Sequence, residues 1–322
     1  MSERPISRLS EIGRFGLIAT SLVGTLVLGG GSVLAQDATP EATASGPCVA
    51  LSGITAPATP EAMMEASPEA TPEVTGETAD EATTSMATAA LQNAINCESD
   101  PEALQTLFTP GFVMAAGGYD SIEAAAADGF FGNSPLADAE VGSVTSYSDG
   151  TVGINIQYFA TQYQVVSDKW VLADVDGEWK FDGIRDGDPA NVDGDQAAVG
   201  VNLLENGDGT YAIAANKESV VATDVLILQA INVATNLEGH ELVVVQLPEG
   251  ADPAGIIDGS ITEDDVTFIG QVTVAAPGDS TDMTLVGLPA GQYTLLCAFS
   301  GPDGKPHFMN GMIAPFEVTA AT

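Results

Sequence analysis

The stretch Gly291-Gln-Tyr-Thr-Leu-Leu-Cys-Ala-Phe-Ser-Gly-Pro-Asp-Gly-Lys-Pro-His-Phe-Met-Asn-Gly-Met312 decides how the C-terminal part of this chain is read. It gathers Cys297, His307, Met309 and Met312 into one run, in a chain with 2 histidines and 3 cysteines. Residues 291–299 carry the pattern of a strand, and Pro302-Asp303-Gly304 is a turn signal. A hairpin with its tip at 302–304 sets Phe299 opposite His307 and Cys297 opposite Met309 on one side of the ribbon.

Working outward, strands are expected over 199–204, 211–214, 224–232, 241–247, 267–274, 280–285, 291–299 and 313–318. Gly, Pro, Asp and Asn punctuate them at short intervals, the signature of an all-β sandwich. The segment is long enough to bury a core between two sheets.

Gly239-His240-Glu241-Leu-Val-Val-Val, Leu288-Pro-Ala-Gly-Gln-Tyr-Thr-Leu-Leu-Cys297, Pro306-His307 and Gly311-Met312 together resemble a cupredoxin of the plastocyanin and azurin type. The resemblance implies an all-β Greek-key sandwich with His240, Cys297 and His307 as equatorial copper ligands. It makes Met312 the axial ligand, with Met309 as an alternative. Two imidazoles, one thiolate and a weak thioether suit a trigonal electron-transfer copper site. The departure is spacing: nine residues separate Cys297 from His307, where the family usually has two to four. The competing reading is metal-free. Cysteine and methionine are good core fillers, and a histidine at a strand end can serve backbone groups.

Upstream, Leu91 and Ile95 are one helical turn apart, and Asp100-Pro101-Glu102 opens a second helix that Thr109-Pro110-Gly111 ends. Asp120 is the expected cap of a helix over 121–128. Strands follow over 140–147, 151–161, 164–174 and 178–184, with Asp149-Gly150 and Asp176-Gly177 as turns. Helices before an antiparallel meander make an α+β domain. The run Ala94-Ile-Asn-Cys-Glu-Ser-Asp-Pro-Glu-Ala-Leu-Gln-Thr-Leu-Phe-Thr-Pro-Gly-Phe-Val113, with Trp170-Val-Leu and Gly177-Glu-Trp-Lys-Phe181, resembles the nuclear transport factor 2-like family. That likeness implies an α+β cone with an open end able to take a small ligand. No histidine precedes His240, and Tyr119, Asp120 and Asp128 do not make an evident acid–base pair, so no catalytic residue is assigned.

The N-terminus sets the compartment. Arg4, Arg8 and Arg14 precede an apolar run over 17–28 and Val33-Leu34-Ala35, the pattern of a secretory signal cut after Ala35. An uncleaved anchor is the other reading. Residues 36–84 repeat Thr-Pro-Glu and Ser-Pro-Glu among Ala, Thr and Met and read as a disordered spacer. The expected layout is therefore signal 1–35, spacer 36–84, nuclear transport factor 2-like domain 85–187, acidic linker 188–197 and cupredoxin-like domain 198–322. The acids of the linker lack the closing glutamate of a calcium loop.

Of 45 acids and 8 bases, two acids and three bases lie in 1–35. The remainder has 43 acids against 5 bases, a net charge near −38. Such a surface repels phosphate backbones and anionic membranes, which excludes nucleic acid and membrane insertion after signal removal. In an oxidising compartment the odd cysteine count allows Cys48–Cys97 to pair, worth about 4 kcal/mol at most by loop entropy, and leaves Cys297 over. Two functions follow from these readings. One is an exported copper protein exchanging electrons with a redox partner protein; the other is a metal-free extracellular binding or scaffold protein.

Overall fold

The computed structural model describes residues 74–97, 100–132, 139–207, 209–235 and 238–321. The expected signal, the spacer up to residue 73 and Cys48 lie outside them. No helix among the described residues is long and apolar enough to cross a membrane. The chain falls into two compact units. One comprises the described residues up to Ile156 with Asp168–Asp188, and the other comprises Gln157–Ser167 with the residues from Pro189 on.

The first unit opens with β1 (Gly76–Thr78) and α1 (Glu81–Asn96), followed by α2 (Pro101–Gln105), α3 (Pro110–Gly117) and α4 (Ile122–Ala127). Asp80 caps α1 by accepting the Thr83 N–H at 2.8 Å, and Asp100 caps α2 by accepting from Ala103. Thr109-Pro110 begins α3 instead of only closing α2. The Thr109 hydroxyl accepts the Phe112 N–H, and proline at the first helical position loses no hydrogen bond. Ser121, one residue past the expected Asp120, caps α4 by accepting the Ala124 N–H. The strands that follow are β2 (Glu140–Tyr147), β3 (Val152–Phe159), β4 (Gln164–Val175) and β5 (Glu178–Asp186); residues 157–159 of β3 and 164–167 of β4 are counted in the second unit. Asp176 and Gly177 both take positive φ, 58° and 86°, as a tight turn between β4 and β5 requires.

An aromatic cluster of Phe108, Phe112, Trp170 and Phe181 fills this unit's core, with ring centroids 4.6 to 6.2 Å apart. Helix α3 reaches β5 closely because Gly111 has no side chain; a Cβ there would lie 2.7 Å from the Asp182 carbonyl oxygen. The segment expected as an acidic linker begins on an anchored residue. The Asp188 carboxylate meets the Lys169 ammonium at 3.2 Å, and its N–H donates to Asn155.

The second unit is a two-sheet sandwich. In one sheet β6 (Gln196–Glu205) lies between β7 (Tyr211–Ala215) and β9 (Val225–Asn232), and β9 pairs with β12 (Ser280–Val286). Gln164 and Val165 extend it by pairing with Leu285 and Thr284. The other sheet runs β11 (Thr267–Val274), β10 (His240–Gln246), β13 (Gly291–Leu296), β14 (Ile313–Thr319) and β8 (Ser219–Val221). Alternating apolar residues of both sheets, among them Val199, Leu203, Leu228, Met283, Leu242, Val244, Leu295 and Phe316, interleave as one core. The opposite face of β10 and β13 is also covered. Val243, Val245 and Leu296 pack there with Phe308 and with Ile256 of the short helix α5 (Ala254–Asp258). Burial on both faces explains why β10 reads as the unbroken apolar run Leu242-Val-Val-Val245.

Candidate metal centre

His240 is the first residue of β10, Cys297 follows the last residue of β13, and His307 begins a 3-10 turn over His307–Asn310. All three are buried, at 0%, 0% and 2% exposure. The structure brings them to one point. The two imidazole Nδ1 atoms lie 3.2 Å apart, and Cys297 Sγ is 3.5 Å from His307 Nδ1. One ligand atom from each residue falls within 4.8 Å of the others.

The hairpin between Cys297 and His307 explains how nine intervening residues still permit this. Ser300 and Pro306 bridge as antiparallel partners, and the Gly301 N–H donates to Lys305, so the tip turns at residues 302–304 as expected. The His307 N–H donates to the Phe299 carbonyl at 2.8 Å. Beyond that point the expected ribbon gives way. The 3-10 turn replaces a strand, the Phe308 N–H donates to the Cys297 carbonyl, and the Cys297 N–H donates to the Met312 carbonyl. The turn sends Met309 against the cluster of Val243, Leu296 and Phe308, on the other side of the sheet from Cys297. Met309 therefore does not share the side of Cys297. Met312 is fully buried in the cluster that also holds Cys297.

The surroundings keep both imidazoles neutral and hold the cysteine as a thiol until a metal displaces its proton. Burial, followed by the adjacent His307 ring, lowers His240 to about 4 against the pull of Glu238. Burial also lowers His307, against Glu238 and Asp303. Both rings are thus neutral near pH 7 and offer lone pairs. Burial pushes the Cys297 thiol up to about 12, opposed by the backbone N–H groups of Glu241 and Phe299. The Glu241 N–H points at the sulfur at 3.5 Å, a ready donor to a thiolate.

Three further side chains shape the site, and the sequence reading passed over each. Tyr211 stacks on His307, with ring centroids 4.1 Å apart and planes at 15°. Its hydroxyl donates to Glu238 Oε2 at 3.0 Å. Burial first, then that hydrogen bond and the charges of Glu238, Glu205 and Asp303, raise the phenol to about 12. Glu241 is 1% exposed, and its carboxylate accepts the Ala298 N–H at 2.9 Å, which takes the chain out of the β13 ladder beside Cys297. Burial drives its carboxyl up to about 7, with the Ala298 N–H opposing. One acid directly before the apolar run of β10 was a signal of this role; nothing local marks Tyr211 or Glu238.

These residues fit a copper ion. Metal–nitrogen bonds of about 2.0–2.1 Å at trigonal to tetrahedral angles place two nitrogens roughly 3.3–3.6 Å apart, and the observed pair, at 3.2 Å, is just short of that spacing. A neutral thiol and two neutral imidazoles have no other evident reason to converge in an apolar core. Neither Nε2 atom has a hydrogen-bond partner among the described residues. The donor types, two imidazoles and one cysteine sulfur, are those of a trigonal copper site. Elsewhere, Cys97 is disulfide-bonded and Cys297 is free; the expected partner Cys48 lies outside the described residues. Tyr119 and Asp128 form an exposed hydrogen-bonded pair at 2.7 Å.

No protein-family model and no curated protein matches the chain. Solved structures do match its C-terminal part. Dithionite-reduced auracyanin from Roseiflexus castenholzii is 20% identical, covering 38% of this chain and 97% of its own, with a TM-score of 0.25. Reduced rusticyanin is 19% identical over 39% of this chain and 81% of its own, with a TM-score of 0.26. Auracyanin A of Chloroflexus aurantiacus, a "blue" copper protein, is 16% identical over 39% of this chain and 100% of its own, also at 0.26. At these scores nothing further rests on the likeness, and the site stands on its own geometry.

Proposed function

We propose that the C-terminal unit is a cupredoxin-like electron carrier that holds one copper ion through His240, Cys297 and His307, with Met312 as a weak fourth donor. The observation that carries this reading is the convergence of two Nδ1 atoms and one Sγ in a buried pocket. Copper would supply the one-electron couple. The protein's part is to bury the donors, keep the imidazoles neutral, and fix the Cys297 loop by backbone hydrogen bonds to the His307 turn and Met312. Phe308 and the apolar cores on either side exclude water from the sulfur.

The proposal extends to the whole chain. Residues 1–35 export it, the spacer carries a nuclear transport factor 2-like domain that takes a small ligand, and a disulfide joins Cys48 to Cys97. The electron partner is a positively charged protein, because the carboxylates of Glu205, Glu238 and Asp303 act on Tyr211 directly above His307.

Copper(II) added to the purified protein should give an intense visible band from thiolate-to-copper charge transfer at one equivalent, and Cys297→Ser should abolish it. A colourless sample with an unchanged melting temperature would leave the metal-free scaffold reading in its place.

A further inference from the structure

The two histidines touch through their Nδ1 atoms at 3.2 Å. For this contact to be a hydrogen bond between neutral rings, one Nδ1 must carry a proton and donate while the other accepts. Two assignments exist, and the surroundings separate them. Neither Nε2 atom has a hydrogen-bond partner among the described residues, but that of His307 lies 3.9 Å from Oε2 of the Glu238 carboxylate. If His307 carried its proton on Nδ1, its Nε2 lone pair would face an anion. His240 would then hold an Nε2–H donor in an apolar pocket with nothing to receive it. Both features cost free energy, because an unsatisfied buried donor forfeits its hydration. The opposite assignment removes both. His307 then carries Nε2–H toward Glu238 and turns its Nδ1 lone pair to the metal point. His240 carries Nδ1–H as the donor between the rings and leaves only a bare lone pair at Nε2.

Glu238 is held in place for this. Tyr211 donates to the same Oε2 atom at 3.0 Å, and the Tyr211 ring lies flat against His307. The stack fixes the imidazole plane while the phenol fixes the carboxylate, so ring and acceptor keep a constant relation. We infer that Glu238, oriented by Tyr211, is a positioning residue that sets the tautomer of His307 and presents its Nδ1 lone pair toward Cys297 and His240. A carboxylate behind a metal-binding histidine makes the ring a better donor and locks its orientation. In this molecule the same carboxylate also breaks the symmetry between the two rings before any ion arrives.

Because the chain has 2 histidines, the test can be read without ambiguity. Long-range 1H–15N correlation spectra of metal-free, 15N-histidine-labelled full-length protein report the protonated nitrogen of each ring. The expected result is His307 at Nε2–H and His240 at Nδ1–H in the wild type. In Glu238→Ala the preference should collapse toward equal populations, and in Glu238→Gln, which keeps a carbonyl dipole without the charge, it should weaken only in part. Copper dissociation constants form the second arm, which alone depends on the copper reading; Glu238→Ala should weaken binding about 10–100-fold and Glu238→Gln much less. A wild type with His307 protonated at Nδ1, or an Ala variant with unchanged tautomers, overturns the inference even where copper binds. A wild type with the expected tautomers that takes up no copper sinks the proposed function and leaves the positioning role of Glu238 intact.

Discussion

Replacing Glu241 with glutamine should change the pH dependence of stability in the metal-free protein in a calculable way. The carboxyl is 1% exposed, and burial raises it from 4.5 to about 7. A raised carboxyl binds its proton more tightly in the folded state. Its contribution is therefore fully present below pH 4.5 and is lost as pH rises through 7. The shift of about 2.5 pH units amounts to about 3 kcal/mol at 1.36 kcal/mol per unit, of which about 2.5 kcal/mol should develop between pH 5 and pH 8. Glutamine keeps an oxygen for the Ala298 N–H but cannot ionise. The variant should then gain stability relative to wild type by roughly 1–2.5 kcal/mol on going from pH 5 to pH 8, the lower figure allowing for relaxation around the charge. His240 and His307 act with the opposite sign, because their lowered values favour the folded state above 6.5 and disfavour it as pH falls. Both are present in the two proteins, so they cancel in the difference. Urea unfolding with a chelator present, at pH 5, 6, 7 and 8, measures it. Parallel stability curves for wild type and Glu241→Gln would refute the reasoning.

Three other outcomes are expected. Gly311→Ala should lose about 2–3 kcal/mol in urea unfolding, since φ is 104° there and the added Cβ would lie 2.6 Å from the Tyr211 carbonyl oxygen; a loss under 0.5 kcal/mol would show that the turn adjusts. Gln164→Ala should cost about 1–3 kcal/mol, because its amide donates to the Gln271 carbonyl at 2.7 Å and accepts the Gln271 N–H at 3.0 Å; a neutral change would mean water replaces it. Met312→Leu conserves volume and should cost less than about 1.5 kcal/mol while keeping the copper colour and shifting the reduction potential; an unshifted potential by voltammetry would remove Met312 from the donor set.

The second unit was legible because its chemistry is sparse. Only His240 and His307 offer imidazoles, so the cupredoxin resemblance had one choice of histidines, and the fold gathers both with Cys297. Most strands were within two residues of the pattern, since alternation and turn residues agree along that half. The exceptions have physical causes. β13 stops at Leu296 instead of 299 because a side chain, Glu241, takes over the Ala298 N–H. The turn at His307–Asn310 lacks any periodic signature, being too short to show one, and it moved Met309 to the wrong face. Tyr211 and Glu238 were invisible for a different reason. They meet His307 through contacts 96 and 69 positions away in the chain, and no local pattern announces such a meeting. In the first unit Thr109-Pro110-Gly111 was read as a stop, though the same residues that end one helix are also good starters for the next.

The backbone lock around Cys297 leaves residues 302–304 outside it. The rungs at Phe299, Ser300 and Met312 fasten the donors from below, while Asp303 ties the tip to Asn310, so Pro302 and Gly304 are its freest positions. Grafts, spectroscopic labels or surface tethers placed at those two positions would ride beside the His240–Cys297–His307 cluster without unseating it. That makes this extended loop a natural wiring point for an electrode.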